Sequence, residues 1–223
     1  KLNEILVVWM SNLNKRIITS LFLFIILVTS IYNVKILGIV LTLILFQIIY
    51  EFNFILNKIF KNKNNSFHFV SLLIILVYLS FVFFYIWLNF AGVFDDKILL
   101  LVIITTCISS DIGGYVFGKI FKGKKLTKIS PKKTYSGMIG SYILSTIIVI
   151  FIFNKFIELE KLIYFTILAS TLSQLGDLLI SFLKRKAKLK DTALILPGHG
   201  GILDRMDGMI ISIPLTSLII KLI

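Results

Sequence analysis

The sequence predicts an all-α, polytopic transmembrane bundle of about seven spans with a cytoplasmic N-terminus. Three observations predict it. Of the 223 residues, 57% are apolar and the mean hydropathy is +0.96, whereas soluble domains are about 45–50% apolar. Apolar runs near the roughly 20 residues that a helix needs to cross a bilayer recur along the chain. The charged residues, 16% of the total with a net charge of +13, gather in a few segments between those runs. This composition excludes a soluble globule, a disordered chain, a collagen and a coiled coil. A nucleic-acid binder needs a basic face on a soluble body. No such body is present, so no nucleic-acid partner is expected.

The spans fall at about 17–34, 36–56, 67–94, 98–118, 137–153, 162–180 and 209–223. A turn around Asn33 and Lys35 separates the first two. No small-x-small cleavage site precedes the second run, so the first is expected to be a span rather than a leader. The third is long enough to tilt, or to break near Asn89–Gly92. With the N-terminus inside, 19 of the 24 Lys and Arg residues lie on the cytoplasmic side and five lie outside. That bias is the positive-inside pattern, and one span more or fewer would scramble it. Residues 1–223 read as a single integral-membrane domain without repeats or linkers. The one cysteine, Cys107, lies in an apolar run and reads as a small core hydrophobe.

Polar residues inside the spans need a reason. Asp111 lies within the fourth span and Asp177 near the cytoplasmic end of the sixth. A charge at the bilayer centre costs about 2.5–3.5 kcal/mol, so such residues face the bundle interior and carry function, or pair with a lysine. Steps of 4, 7 and 11 from Asp177 reach Ser181, Lys184 and Lys188, and the same steps from Asp111 reach Tyr115, Gly118 and Lys122. Each set lies on one stripe of a helix. Both stripes run from a carboxylate to lysines at headgroup level. Gly113, Gly114 and Gly118 allow close helix packing. Glu51, at the end of the second span, reads as a structural or interfacial partner.

Two cytoplasmic loops carry the remaining signal. The later one holds Gly198, His199, Gly200 and Gly201, then Asp204, Arg205 and Asp207. A helix is expected to start soon after Gly201, and amide groups at a helix start favour phosphate. Asp204 and Asp207 in its first turn would repel that phosphate. A divalent cation resolves the conflict, because Mg2+ takes one or two carboxylates plus substrate phosphate oxygens. The plainer reading is helix capping by Asp204 beside a solvated charge run. His199 is expected to bond phosphate or the loop backbone, and His68 to sit at the interface. The earlier loop carries seven lysines from Lys119 to Lys133. Lys132, Lys133 and Thr134, just before a helix start, suit nucleotide phosphate or an anionic lipid headgroup, and otherwise form an ordinary positive-inside loop.

The residues also carry a resemblance. Ser181-Phe182-Leu183-Lys184-Arg185, Lys190-Asp191, Ala193, Leu196-Pro197, His199-Gly200-Gly201-Ile202 and Asp204-Arg205-Met206-Asp207 together look like the signature of the phosphatidate cytidylyltransferases (CDP-diacylglycerol synthases). Upstream, Gly176-Asp177-Leu178 resembles the same family. So does Asp111 with Gly113-Gly114-Tyr115 and Gly118, followed by Ile129-Ser130-Pro131-Lys132-Lys133-Thr134. The matching motifs run over residues 109–207. Ser136 and Ile180 stand where the family usually has Glu.

The resemblance implies transfer of a cytidylyl group from CTP to phosphatidate in the bilayer, giving CDP-diacylglycerol and pyrophosphate. It implies Mg2+, with room for a second, monovalent cation such as K+, and a homodimer in the bacterial inner membrane with a cytoplasmic active site. Asp177 and Asp204 would be metal ligands, with Asp207 supporting them. Lys184, Arg185 and Arg205 would neutralise the triphosphate. Lys132, Lys133, Thr134, Ser181, His199, Gly200 and Gly201 would hold nucleotide or lipid phosphate, and Asp111 would serve the site from the adjacent helix. The rival readings are another CTP-dependent lipid enzyme (a polyprenol kinase or CDP-archaeol synthase), an inactive relative, and a transporter with Asp111 and Asp177 as its cation site. The acids lie on the cytoplasmic half and the outer halves are apolar, which disfavours a transport pathway.

Overall fold

The computed structural model describes residues 29, 33–60, 65–93, 96–189, 192 and 201–222. Among them are six helices: α1 (Val34–Ile59), α2 (Asn65–Phe90), α3 (Lys97–Phe121), α4 (Tyr135–Phe153), α5 (Leu159–Lys186) and α6 (Leu203–Leu222). No strand occurs among the described residues, so the all-α expectation is met. The first five helices are long and apolar enough to cross a membrane. They coincide with five of the expected spans. The span expected at 17–34 lies almost wholly outside the described residues. The span expected at 209–223 falls within α6, whose 20 residues include Asp204, Arg205, Asp207 and Lys221. The expected break near Asn89–Gly92 is the end of α2, where Gly92 takes a φ of +77°.

The chain packs as two compact units, Lys1–Ala91 with Ala187–Arg205, and Gly92–Lys186 with Met206–Ile223. In the first, α1 and α2 pack together. Asn33 caps α1 by accepting hydrogen bonds from the Lys35 and Ile36 amides. Ile48, Phe52 and Ile55 on α1 and Leu79, Val82, Phe83 and Ile86 on α2 are buried. Their spacing places each set on one helical face. The other faces expose Leu43, Phe46, Phe81 and Phe84, among others. Such continuous exposed apolar surface suits lipid rather than water.

The second unit is a bundle. Contacts Gly113–Gly140 and Gly114–Gly137 run α3 and α4 antiparallel, and Gly176–Gly208 with Ala169–Ser212 do the same for α5 and α6. The C-terminal ends of α3 and α5 and the N-terminal end of α4 therefore share one end of the unit. Glycine is required at the first crossing: a Cβ on Gly113 would sit 2.5 Å from the Gly140 carbonyl oxygen, and one on Gly140 would strike the Phe117 ring. Hydroxyls then stitch the helices. Ser110 and Ser170 hydroxyls meet at 2.9 Å, Ser141 donates to the Ser110 carbonyl at 2.7 Å, and Ser212 donates to the Ala169 carbonyl at 2.9 Å. Small residues with hydroxyl cross-links are how helices associate in a medium as apolar as their own side chains. The apolar core of Val102, Val149, Phe153 and Leu162 lies at the other end of these helices.

The loop from α3 to α4 is folded. Lys122 ends α3 in the left-handed region with φ 47°. Lys125 and Thr134 form a β-bridge, and the Leu126 amide donates to the Lys133 carbonyl at 2.8 Å. The polybasic stretch is thus a short hairpin with a defined return into α4.

Candidate active site

The hairpin determines where the basic residues go. Thr134 is the N-cap of α4 and its hydroxyl accepts the Gly137 amide at 3.1 Å. That bond is the capping exchange expected where a helix starts with unpaired amides. With the cap fixed, Lys133 faces α5, and its Nζ lies 2.7 Å from Asp177 Oδ2. Asp177, in the C-terminal half of α5, is the acid expected to be functional. The lysine pairing considered as its alternative is real, but it satisfies one oxygen only. Asp177 Oδ1 is buried with no hydrogen-bond partner.

Asp207 lies against Asp177. A Cβ on Gly176 would sit 2.8 Å from the Asp207 carbonyl oxygen, and one on Gly208 would sit 3.1 Å from Asp177 Oδ1. The two glycines let α5 and α6 approach until the carboxyl groups meet. Asp207 is also within the electrostatic reach of Lys184 and Asp111. Lys184 is buried despite its charge. Two carboxylates this close repel unless a proton or a cation lies between them.

Asp111, Tyr115, Lys132, Lys133, Thr134 and Asp177 line a cavity of about 310 Å3. Asp111 is exposed on its helix, and Lys132 is exposed on the hairpin. Arg185, at the end of α5, is exposed and its Nε donates to the Ile129 carbonyl of the hairpin at 3.5 Å. Ser181 is half-buried one turn beyond Asp177. Five of the residues singled out from sequence, Asp111, Lys132, Lys133, Thr134 and Asp177, therefore share one cavity, with Asp207 against Asp177.

The other unit holds the remaining described candidates, and here the geometry revises their roles. Glu51 is fully buried on α1. Its Oε1 accepts the Ile202 amide at 2.9 Å and the Gln47 side chain at 2.9 Å. Its Oε2 accepts the Leu203 amide at 3.0 Å and the Thr192 hydroxyl. Asp204 Oδ2 accepts the amides of Thr192 at 3.0 Å and Gly201 at 3.2 Å. Both amides precede α6, and the first amides of the helix go to Glu51 instead. A metal role for Asp204 rests on the resemblance alone. The first amides of α6, expected to attract phosphate, are occupied by the Glu51 carboxylate. Gly201 carries no Cβ because Thr192 and Glu51 fill that space. Arg205 is exposed, with its amide donating to the Ile202 carbonyl at 3.0 Å. His199 and Gly200 lie outside the described residues.

Thr192 was not singled out from sequence, and it stands between two acids. Its neighbour Asp191 belongs to the signature, but nothing in the local pattern marks the threonine itself. Among the described residues, no group of three or more His, Cys, Asp or Glu side chains is placed to hold a metal alone. The Asp177–Asp207 pair still fits Mg2+, which takes one or two carboxylates and completes its shell with water and substrate phosphate. The unpartnered Asp177 Oδ1 is the observation on which that fit stands.

Fold and site define a class: among the described residues, an all-helical protein with helices long and apolar enough to span a membrane, in whose second unit Asp111, Asp177, Lys132 and Lys133 line one cavity. The chain belongs to the cytidylyltransferase family, whose pattern it matches over residues 2–223. It is 44% identical over 115 residues to a phosphatidate cytidylyltransferase of Staphylococcus saprophyticus, covering 50% of this chain and 44% of the relative. It is 41% identical over 132 residues to the one of Rickettsia felis, covering 54% and 58%, and 33% identical over 128 residues to the one of Helicobacter pylori, covering 53% and 46%. The chain spans about half the length of the curated relatives it matches.

Proposed function

We propose that this protein transfers the cytidylyl group of CTP to phosphatidate, releasing pyrophosphate and forming CDP-diacylglycerol at the cytoplasmic face of a bacterial inner membrane. The observation that carries the reading is the Lys133–Asp177 pair in a cavity shared by acids and lysines, in a chain of the cytidylyltransferase family. The names of the relatives supply the substrate pair.

The chemistry suits these side chains. The phosphate of phosphatidate is already an anionic nucleophile, so the reaction needs no strong general base. Its difficulty is bringing two polyanions together. Positioning and charge neutralisation then supply the catalysis. Lys132 and Lys133, fixed by the capped hairpin, would hold phosphate at the cavity mouth. Lys184 and Arg185 at the end of α5, and Arg205 on α6, would neutralise the triphosphate. Asp177 and Asp207 would hold Mg2+, with Asp204 assigned to it by resemblance. Bound there, Mg2+ supplies positive charge to the phosphates that the two acids would otherwise repel. Asp111 lines the same cavity and would orient water or headgroup within it. The acyl tails of the lipid stay in the bilayer beside the exposed apolar faces.

The test is synthesis of CDP-lipid by purified protein from labelled CTP and phosphatidate, with and without Mg2+. Product that appears only with Mg2+ supports the reading. A phosphorylated polyprenol in place of CDP-diacylglycerol, or no product from folded protein, overturns it.

A further inference from the structure

We infer that Glu51 is a positioning residue: it ties Thr192 to Ile202 and Leu203 and sets the first turn of α6, and so governs CTP binding. The inference rests on the reading just proposed, because it takes Arg205 in that turn as a triphosphate contact.

The geometry is specific. Glu51 is fully buried and receives four hydrogen bonds, two on each oxygen, from Gln47, Thr192, Ile202 and Leu203. Thr192 and Leu203 lie 141 and 152 residues away in sequence. A buried carboxylate is costly unless paired or fully hydrogen-bonded. This one is bonded on both oxygens, with Gln47 of its own helix and Thr192, Ile202 and Leu203 supplying the donors. Asp204 binds the same Thr192 from the other side, through its amide at 3.0 Å, and the Gly201 amide at 3.2 Å. The Thr192 hydroxyl reaches both carboxylates but has one proton to give. Arg205 follows directly, its amide bonded to the Ile202 carbonyl at 3.0 Å. A carboxylate on α1 therefore does the work of an N-cap for a helix it does not belong to. It also occupies the amides that would otherwise attract phosphate, which leaves recognition to side chains such as Arg205.

Glu51→Gln is nearly isosteric but turns an NH2 group toward backbone amides that can only donate. Hydrogen bonds to a charged group are worth more than neutral ones, so their loss should be large. The KM for CTP should rise about tenfold or more with the KM for phosphatidate unchanged, since about 1.4 kcal/mol corresponds to a factor of ten. A purely structural role would instead reduce the active fraction, lowering kcat with both KM values intact. Hydrogen exchange gives a second readout that needs no activity. The Ile202 and Leu203 amides should exchange at least about tenfold faster in Glu51→Gln, while α5 amides keep their wild-type rates. If the wild type makes no CDP-lipid, the proposed activity fails and exchange still tests Glu51. Thr192→Val, which keeps the branched shape and loses the hydroxyl, repeats both measurements should Glu51→Gln fail to fold. Unchanged exchange at Ile202 and Leu203, or a fall in kcat alone, overturns the inference.

Discussion

Lys133 Nζ and Asp177 Oδ2 lie 2.7 Å apart across a separation of 44 residues, joining the polybasic hairpin to α5. The pair is asymmetric in its consequences. Lys133 satisfies one carboxylate oxygen, and the buried Oδ1 beside Asp207 has no partner. That oxygen, buried beside Asp207, is where a cation shared by the two acids would bind.

Removing the two partners should have different costs. Asp177→Asn should lower CDP-lipid synthesis by about two to three orders of magnitude, the scale seen when a key charge-stabilising group is removed. Lys133→Met should cost about 10–100-fold, the usual penalty for a residue that orients a metal-binding carboxylate. Initial rates with saturating labelled CTP would measure both. Equal losses would mean that Lys133 contacts the phosphates as directly as Asp177 contacts the metal.

Close crossing of α5 and α6 should be necessary for the acid pair. Gly176→Ala would push a methyl to 2.8 Å from the Asp207 carbonyl oxygen, a distance that real contacts do not reach. The helices must separate, at about 1–3 kcal/mol for overpacking of this kind. Thermal unfolding in detergent should show a lowered midpoint. Activity should fall by more than the loss of folded protein, because Asp177 and Asp207 move apart.

The sequence made some of this legible. Five spans were readable because lipid-facing helices are apolar over their whole length, and Asp111 and Asp177 stood out because a charge there is expensive. The stripe from Asp177 through Ser181 to Lys184 lies on α5, where spacing fixes direction, but Lys188 and Lys122, expected to continue the two stripes, fall past the ends of α5 and α3 in the left-handed region. Glu51 was readable as a structural partner, yet its clasp on Thr192, Ile202 and Leu203 was not. Those contacts join segments more than 140 residues apart, and no periodicity encodes a long-range hydrogen bond. The hairpin at Lys125 and Thr134 was hidden for a similar reason: its lysines signal topology strongly enough to mask a local fold.

Sidedness can be checked with the single cysteine. Cys107 is 1% exposed, so a membrane-impermeant maleimide should leave the wild type unlabelled from either face. Lys128→Cys, on the exposed hairpin, should be labelled from the cytoplasmic side only, and Lys155→Cys, beyond α4, from the outer side only. Labelling of both variants from one face would overturn the orientation drawn from the loop charges.

Ser136 and Ile180, where the resemblance leads one to expect Glu, should respond oppositely to its introduction. Ser136 is in the first turn of α4, with its hydroxyl 3.0 Å from that of Thr134. Ser136→Glu places a negative charge near a helix N-terminus, worth about 0.3–1 kcal/mol of stabilisation. Ile180 is 2% exposed, and buried Lys184 lies one turn on along the same helix, so Ile180→Glu replaces packed apolar volume with a carboxylate whose burial cost of several kcal/mol that lysine only partly offsets. Yield and thermal midpoint in detergent should hold or rise for the first and fall for the second. Equal tolerance of both would show that Lys184 pairs fully with a carboxylate at position 180.

The acid pair makes a prediction about additivity. If Asp177 and Asp207 hold one Mg2+ between them, they act as a unit, and groups acting as a unit do not lose activity additively. Asp177→Asn and Asp207→Asn should each reduce turnover sharply. The double variant should be little worse than the poorer single one, because the metal is already lost. Chelation should do the same to the wild type and be reversed by added Mg2+, while having no effect on residual turnover of the double variant. Independent roles would give multiplied losses and residual activity still sensitive to chelation. Measuring all four proteins at matched folded concentration separates the two cases, since only a shared ion makes the second substitution silent.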